Sequence, residues 1–217
     1  MTAAGTGLVR HPRFVSLEGG EGAGKSTVLA ALRGALEQAG EEVVCTREPG
    51  GSPLAERVRG LLLDTTGDAP VPQAELLLMF AARAQLVDTV ILPALQRGAW
   101  VISDRFTDAS HVYQGAARGG DRALIAELER CVVGIEPGLT LLLDLPVAVG
   151  HARVRGRGQP DRIETEREEF FETVREAYLQ RAGLHADRFR VIDAAAPAED
   201  VAARAVALLH AHRGTQR

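Results

Sequence analysis

Lysine is almost absent from this chain of 217 residues, because Lys25 is the single lysine among 25 basic side chains. Arginine is used everywhere else, so a general need for positive charge does not explain Lys25. Cysteine is also scarce. Cys45 and Cys131 are far apart and belong to no C-x-x-C or Cys/His cluster, which predicts two free core thiols in a reducing cytoplasm.

The chain also lacks an excess of positive charge and a long apolar run. Its 25 basic and 29 acidic residues give a net charge of −4, which offers no basic surface to a nucleic-acid polymer. We find no signal-peptide pattern and expect no membrane partner. The length predicts one domain, or one domain with a small lid, and the ordinary apolar content without an export signal predicts a globular cytoplasmic protein.

Lys25 itself lies in a glycine-rich motif with the spacing G-x-x-x-x-G-K-S. The motif reads Gly19-Gly20-Glu21-Gly22-Ala23-Gly24-Lys25-Ser26-Thr27. An apolar strand precedes it and an apolar-periodic helix follows, which is the context that a phosphate-binding loop (P-loop) requires. These nine residues are therefore predicted to hold the phosphates of a nucleoside triphosphate, with the Ser26 hydroxyl on Mg²⁺. The context disfavours a chance glycine-rich turn.

Apolar strands alternate with amphipathic helices along the whole chain. Strands are predicted at 13–18, 42–47, 99–104, 139–145 and 189–193, and helices near 25–39, 54–63, 73–92, 122–133, 146–156, 166–185 and 198–212. This order is typical of an α/β fold with a doubly wound, five-stranded parallel sheet flanked by helices. We expect a loose leader at 1–11 and a single domain at 12–213, with ligands at the carboxyl ends of the strands.

Charged residues follow the third predicted strand, where Asp104 and Arg105 come directly after four apolar or small residues. A charged pair at the tip of a buried strand is costly unless it has a use. Asp104 is predicted to order Mg²⁺ or its water shell, and Arg105 to bind an acceptor phosphate. The alternative is a mutual salt bridge on the surface.

Two further charged residues have two interpretations each. Arg83 falls on the apolar stripe of its helix, where it either extends to water or reads a base carbonyl beside a stacking aromatic ring. Glu21 places a carboxylate inside a phosphate cradle. It either needs a compensating partner, such as a sugar hydroxyl or a lid arginine, or points to solvent.

The segment 153–164 interrupts the helical periodicity and contains four arginines, two glycines and a proline within Arg153–Arg162. We interpret it as a small mobile lid whose arginines neutralise charge during phosphoryl transfer. The alternative is a solvated basic turn.

Several motifs, in this order, resemble those of bacterial thymidylate kinases over roughly residues 12–210. Beyond the P-loop they are Thr46-Arg47-Glu48-Pro49-Gly50-Gly51, Phe80-Ala81-Ala82-Arg83-Ala84-Gln85, Ser103-Asp104-Arg105-Phe106, Tyr113-Gln114-Gly115 and Asp161-Arg162-Ile163-Glu164. The resemblance implies a nucleoside-monophosphate kinase of the P-loop NTPase fold that converts ATP and dTMP to ADP and dTDP. It also implies a Mg²⁺ requirement and a homodimer.

The resemblance further implies roles for individual residues. Glu21 and the arginine-rich lid match the type with an acidic P-loop, in which the catalytic residues are expected to be Lys25, Arg105, Arg153, Arg157 and Glu21. The dTMP-binding residues are expected to be Glu48, Pro49, Phe80, Arg83, Arg105, Ser110, Tyr113 and Gln114. Tyr113 is expected to crowd the sugar 2′ position, and Ser26 and Asp104 to hold the metal. One departure is Met79, which stands where the family often has its stacking phenylalanine, so either Phe80 or Met79 forms the base platform.

Three rival functions remain. A P-loop kinase for another nucleotide would share these motifs, and a substrate panel separates it. A GTPase-type switch is disfavoured because the chain has no N-K-x-D motif. A binding module without turnover would leave the Asp104–Arg105 pair and the arginine-rich lid unexplained.

Overall fold

Five parallel strands form the centre of the molecule, in the order β2-β3-β1-β4-β5. The computed structural model describes residues 7–155 and 161–215. The strands are β1 (Val9–Gly19), β2 (Val43–Arg47), β3 (Trp100–Asp104), β4 (Ile135–Asp144) and β5 (Phe189–Asp193). All four neighbouring pairs are parallel. The predicted five-stranded parallel sheet flanked by helices is therefore confirmed.

Parallel strands need long crossover connections, and helices provide them here. The helices are α1 (Lys25–Gln38), α2 (Pro53–Leu63), α3 (Pro72–Leu86), α4 (Leu92–Gln96), α5 (Thr107–Ser110), α6 (Arg122–Leu128), α7 (Val147–Val154), α8 (Glu168–Leu184) and α9 (Ala198–Gly214). Short π-helical turns follow α3, α5 and α6 at Val87–Ile91, His111–Ala117 and Glu129–Val133. The helical segment from Thr107 to Ala117 was not predicted, because its many small and polar residues do not form the apolar pattern of an amphipathic helix.

The core forms on both faces of the sheet because successive side chains of a strand point to opposite sides. Val15 and Leu17 of β1 pack with residues of α1 and α9. Phe14, one residue away, packs with residues of α3 on the other face. All three side chains are fully buried, and burial of each contributes about 1.5–3 kcal/mol. The two apolar layers fix the sheet, so the carboxyl ends of its strands form one rigid edge.

Strand β1 begins earlier than the sequence predicted. Val9 pairs with Ile135, the Val9 N–H donates to Gly134 O at 3.0 Å, and the register shifts between His11 and Val15. Residues 9–11 therefore belong to the sheet rather than to a leader, and residues 1–6 lie outside the described part. Arg10, His11 and Arg13 are polar, so the sequence shows no apolar run there, although β1 continues on both sides of the register shift.

The fold buries one long, mostly apolar segment and leaves one predicted core thiol exposed. The helical segment Pro72–Gln96 is long and apolar enough to cross a membrane by length and composition, although Glu75, Arg83 and Asp88 interrupt its apolar residues. In the structure it is a core segment that contributes Leu76, Phe80 and Ile91. Cys131 is exposed rather than in the core, while Cys45 is half-buried, and both are free thiols.

Candidate active site

The P-loop folds around the ammonium group of Lys25 at the carboxyl end of β1. Lys25 is the first residue of α1 and is 9% exposed. Its Nζ donates to Gly19 O at 3.1 Å and to Gly20 O at 3.0 Å. Burial lowers the pKa of Lys25, as does the nearby charge of Arg105. Carbonyl oxygens of the loop therefore enclose the Lys25 ammonium at the N-terminus of α1, and a helix N-terminus favours an anion.

The tip of the P-loop packs backbone to backbone on α7. Gly22 has φ +71°, and a Cβ there would lie 2.4 Å from Gly150 O. Conversely, a Cβ on Gly150 would lie 2.4 Å from Glu21 O. No other residue type fits this contact without displacement, so the two glycines couple the loop to the helix that leads into segment 153–164.

Arg105 joins the carboxyl end of β3 to the P-loop. Its Nη2 donates to Glu21 Oε1 at 2.8 Å, and its Nη1 donates to Gly19 O at 3.0 Å and to the Tyr178 hydroxyl at 3.2 Å. Its φ of 69° is rare for a side chain other than glycine, and such strain is typical of functional sites. Arg105 is thus a compensating partner of Glu21 within the described residues, and Glu21 is not a carboxylate that only points to solvent. Asp104 and Arg105 do not form a salt bridge with each other on the surface, which was the alternative interpretation of this pair.

Charge holds the carboxylate of Glu21 ionised. Burial raises the pKa of Glu21, but the charges of Arg105 and Lys25 outweigh it and leave the pKa below its ordinary value. The acidic P-loop therefore neutralises part of the positive charge of Arg105 and Lys25.

A buried carboxylate that Tyr178 links to Arg105 was not predicted from the sequence. Glu18 is fully buried, and it accepts from the Tyr178 hydroxyl at 2.7 Å and from the Phe106 N–H at 2.8 Å. Burial, together with the charge of Asp108, raises the pKa of Glu18 to about 8. A glutamate inside an apolar strand was the available signal for this group. Tyr178 contacts both Glu18 and Arg105, so the three form one network that supports the Arg105 guanidinium.

A pocket of about 500 Å³ opens beside this network, between the P-loop and α3. Its lining brings together six of the predicted site residues: Glu21, Glu48, Pro49, Arg105, Tyr113 and Gln114. Met79, one of the two alternatives for the base platform, lines it as well, and the other five lining residues are Arg59, Leu63, Ala109, Asp161 and Ile163. Arg59 was missed by the sequence analysis, and its Nη1 donates to Pro49 O at 2.9 Å. The pocket therefore has two cations, Arg59 and Arg105, and an apolar wall.

Arg83 is buried next to this pocket and does not extend to water. It is 1% exposed, and its Nε donates to Glu48 Oε2 at 2.7 Å. Its guanidinium lies 4.6 Å from the centre of the Phe80 ring. Arg83 Nη1 and Glu48 Oε1 have no hydrogen-bond partner among residues 7–155 and 161–215. Such unpaired buried atoms are costly, and a polar ligand would satisfy them.

The side chains of Phe80 and Met79 lie in different environments. Phe80 is 2% exposed and belongs to the core on the α3 face of the sheet, whereas Met79 lines the pocket. Of the two alternatives for the base platform, Met79 therefore lines this pocket and Phe80 does not, because one residue along a helix turns the side chain by about 100°. Met79 supplies a flexible apolar wall instead.

Three more predicted residues lie at the end of α5, which is Ser110, and on the π-helical turn that follows it, which contains Tyr113 and Gln114. The Tyr113 ring lies 4.9 Å from the Arg105 guanidinium, and burial raises the pKa of Tyr113 to about 12. Gln114 Nε2 donates to Glu75 Oε1 at 2.8 Å. Ser110 is fully buried and does not line the pocket; its Oγ lacks a partner within the described ranges. Tyr113 and Gln114 thus reach the pocket directly, and Ser110 lies behind them.

A second pocket, of about 820 Å³, lies on the other side of the P-loop. Arg153 lines it together with Gly24, Thr27 and the segment 194–198. Arg153 Nη1 donates to Ala194 O at 2.9 Å and reaches Gly22 O at 3.5 Å. Arg153 therefore lies at this second pocket rather than between the two pockets. Arg157, the other predicted lid catalyst, lies outside the described residues.

Ser26 and Asp104 share a cleft of about 780 Å³ at the carboxyl ends of β2 and β3. Asp104 Oδ1 is buried and has no hydrogen-bond partner in the described part of the chain. Over the same part no group of three or more His, Cys, Asp or Glu side chains could hold a metal. A hydroxyl and a free carboxylate oxygen are hard donors that suit Mg²⁺, which takes its remaining ligands from phosphates and water.

A P-loop at the carboxyl edge of a parallel sheet, with a pocket on either side, defines this molecule as a P-loop nucleotide kinase by class. A family model described as thymidylate kinase matches residues 17–205. A thymidylate kinase of Pseudomonas entomophila (strain L48) is 56% identical over 185 residues, which are 85% of this chain and 88% of that protein. A thymidylate kinase of Chromohalobacter salexigens is 55% identical over 200 residues, 91% and 94% of the two chains.

Solved structures agree with the sequence relatives. The crystal structure of thymidylate kinase from Ehrlichia chaffeensis has a TM-score of 0.74 and 30% identity, and the match covers 94% of this chain and 99% of that one. The chain therefore belongs to the thymidylate kinase family. The family resemblance and the class of enzyme predicted from the sequence are confirmed.

Proposed function

We propose that this protein transfers the terminal phosphoryl group of ATP to dTMP and so produces ADP and dTDP, with Mg²⁺. The observation that carries the proposal is the 500 Å³ pocket, in which Arg59 and Arg105 lie beside the P-loop carboxylate Glu21. An anionic acceptor held there lies next to the loop that binds the donor phosphates. Membership of the thymidylate kinase family supports dTMP as the acceptor.

In this proposal the base, the sugar and the phosphate of dTMP each contact particular residues of the pocket. The thymine ring packs on Met79, and Arg83 Nη1, which has no partner in the described ranges, donates to a base carbonyl. Tyr113 fills the space that a ribose 2′-hydroxyl would need. Arg105 binds the acceptor phosphate, with Arg59 and the Glu48–Pro49 turn beside it.

Positioning and charge neutralisation account for catalysis without a strong general base. The attacking oxygen of a phosphate monoester is already anionic near neutral pH. Lys25, which is buried, and Arg105, which is half-buried, both bond to Gly19 O and stabilise the charge that spreads over the transferred group. Glu21 and the Glu18–Tyr178 pair hold Arg105 in place before the acceptor binds.

The donor side is proposed to hold ATP on residues 19–27, with its base in the 820 Å³ pocket beside Arg153. Ser26 and Asp104 would hold Mg²⁺, because both line the cleft next to the P-loop. When bound, Mg²⁺ neutralises charge on the donor phosphate oxygens. The proposed contribution of Arg157 to catalysis rests on the arginine-rich sequence of segment 153–164.

We also propose that the protein is a cytoplasmic homodimer. The exposed side chains of Leu77 and Val132 support an apolar contact face near α3. The position of the Pro72–Gln96 segment in the core supports a protein that does not cross a membrane.

A coupled assay of ADP release tests the proposed function. The protein is mixed with Mg²⁺ and ATP, and dTMP, dUMP, dCMP, UMP or thymidine is added as the acceptor. We expect fast turnover with dTMP and much slower turnover with UMP and thymidine, which lack the 2′-deoxyribose or the acceptor phosphate. A preference for another acceptor would retain the kinase class and overturn the assignments of Arg83 and Tyr113. Absence of acceptor-dependent turnover would refute the proposal.

A further inference from the structure

A buried glutamate outside the predicted site lies behind the acceptor pocket. Glu75, in the first turn of α3, is 2% exposed. It accepts from Gln114 Nε2 at 2.8 Å, from Arg118 Nε at 2.8 Å and from Arg162 Nη2. Burial raises the pKa of Glu75, but the hydrogen bonds from Gln114 and Arg162 and the charge of Arg118 outweigh it and leave the pKa low. Glu75 is therefore an ionised carboxylate, which can only accept hydrogen bonds.

This carboxylate decides which end of the Gln114 amide faces it. A glutamine amide has a donor end and an acceptor end, and only the donor NH₂ can bond to an ionised carboxylate. The acceptor Oε1 is thereby turned away from Glu75, and it has no partner within residues 7–155 and 161–215. Gln114 lines the acceptor pocket, so the amide has one unsatisfied acceptor next to the place proposed for the base.

We propose that Glu75 is a specificity-determining positioning residue, which fixes Gln114 so that its carbonyl oxygen selects a base with a ring N–H. Thymine and uracil carry a hydrogen on N3, while cytosine presents an acceptor there. Cytosine would therefore place two acceptors against each other and leave both unpaired. A site built to hydrogen-bond one group rejects an analogue without it far more strongly than an apolar pocket rejects a change of size.

The two arginines explain why the carboxylate stays in place. Arg162 also donates from Nε to Leu62 O at 2.8 Å, so it holds the Glu75 carboxylate against α2. Arg118 bonds to the same oxygen of Glu75 as Gln114 does. With a cation bonded to each carboxylate oxygen, Glu75 does not take up a proton near neutral pH, and the Gln114 amide cannot turn without leaving its NH₂ group unpaired.

The test is the ratio of kcat/KM for dTMP to that for dCMP, measured in the wild type and in Glu75→Gln. A neutral amide at position 75 offers donors as well as an acceptor, so Gln114 can turn over. We expect the ratio to fall by about tenfold or more, since one correct hydrogen bond in a buried site discriminates at least that well. A merely structural loss would lower both values together and leave the ratio unchanged, which would overturn the inference.

Arg118→Gln is the matched control. It removes one partner of Glu75 but keeps the acceptor-only carboxylate, and the ratio should stay within about twofold of the wild type. If Glu75→Gln does not fold, Glu75→Asp takes its place, because the shorter side chain keeps the charge but draws the carboxylate back from Gln114 Nε2. A Glu75→Asp variant that retains the full preference for dTMP would overturn the inference, and a variant that turns over dTMP but loses the preference would support it.

The inference rests on the proposed function, and the two fail differently. If the wild type shows no turnover that depends on dTMP, the proposed function and this inference are both refuted. If the wild type prefers dTMP over dCMP and Glu75→Gln keeps that preference, only the inference about Glu75 is refuted.

Discussion

Replacement of Gly150 by alanine should force the P-loop and α7 apart. The added Cβ would lie 2.4 Å from Glu21 O, whereas ordinary van der Waals contact begins at 3.4 Å, so the two backbones must separate by about 1 Å. A misplacement of about 1 Å in a catalytic site can cost about 100-fold in rate. We expect kcat to fall by about that factor, because the phosphate loop and the helix that carries Arg153 lose their relative position.

The KM for dTMP should rise as well, because the displaced residue Glu21 lines the acceptor pocket and is paired with Arg105. Both constants are measured by coupled ADP release, with the fold checked by circular dichroism. Gly34→Ala is the control: Gly34 lies within α1, and a Cβ there meets nothing within 4 Å. It should stabilise the helix by about 0.5–1 kcal/mol and leave kcat unchanged. A Gly150→Ala enzyme with kcat within about threefold of the wild type would refute the coupling.

Three further predictions concern buried charges. The pKa of Glu18 is raised from 4.5 to about 8, so the folded chain holds a proton that the unfolded chain loses. The contribution of this proton to stability is present at acid pH and is lost as the pH rises through 8. The Tm of the wild type should therefore fall between about pH 6 and pH 8, and the Tm of Glu18→Gln should fall less. Equal slopes of Tm against pH in the two proteins would contradict this. Arg83→Ala should lower the free energy of unfolding in urea by about 3–5 kcal/mol, because Glu48 stays buried without its cation, and a loss below about 1 kcal/mol would count against the pair. Lys25→Ala should lower kcat by several orders of magnitude with an intact fold, and near-normal turnover in the coupled assay would exclude Lys25 from the chemistry.

Much of the fold was predictable because the strands are short apolar runs and the helices between them are amphipathic. The P-loop was predictable because its chemistry depends on neighbours in sequence. The Arg105–Glu21 pair joins residues 84 positions apart, and Tyr178 lies 160 positions from Glu18. Such contacts depend on how β3 and α8 pack on β1, which no local pattern encodes.

The base platform shows a different limit of sequence reasoning. Met79 and Phe80 are adjacent and both apolar, so hydrophobic periodicity places either of them on the buried face of α3. The rotation of the helix turns Met79 to the pocket, and packing of Phe80 in the core fixes that rotation. Arg59 was missed for a related reason, since an arginine on an amphipathic helix is ordinarily a solvated residue.

The most direct test of the assigned site is a crystal structure of the protein with dTMP and a non-hydrolysable ATP analogue. We predict that the thymine ring lies on Met79, that the dTMP phosphate lies within hydrogen-bond distance of Arg105, and that the phosphates of the analogue lie on residues 19–27. A thymine ring bound instead in the pocket formed by Arg153 and residues 194–198 would contradict this prediction.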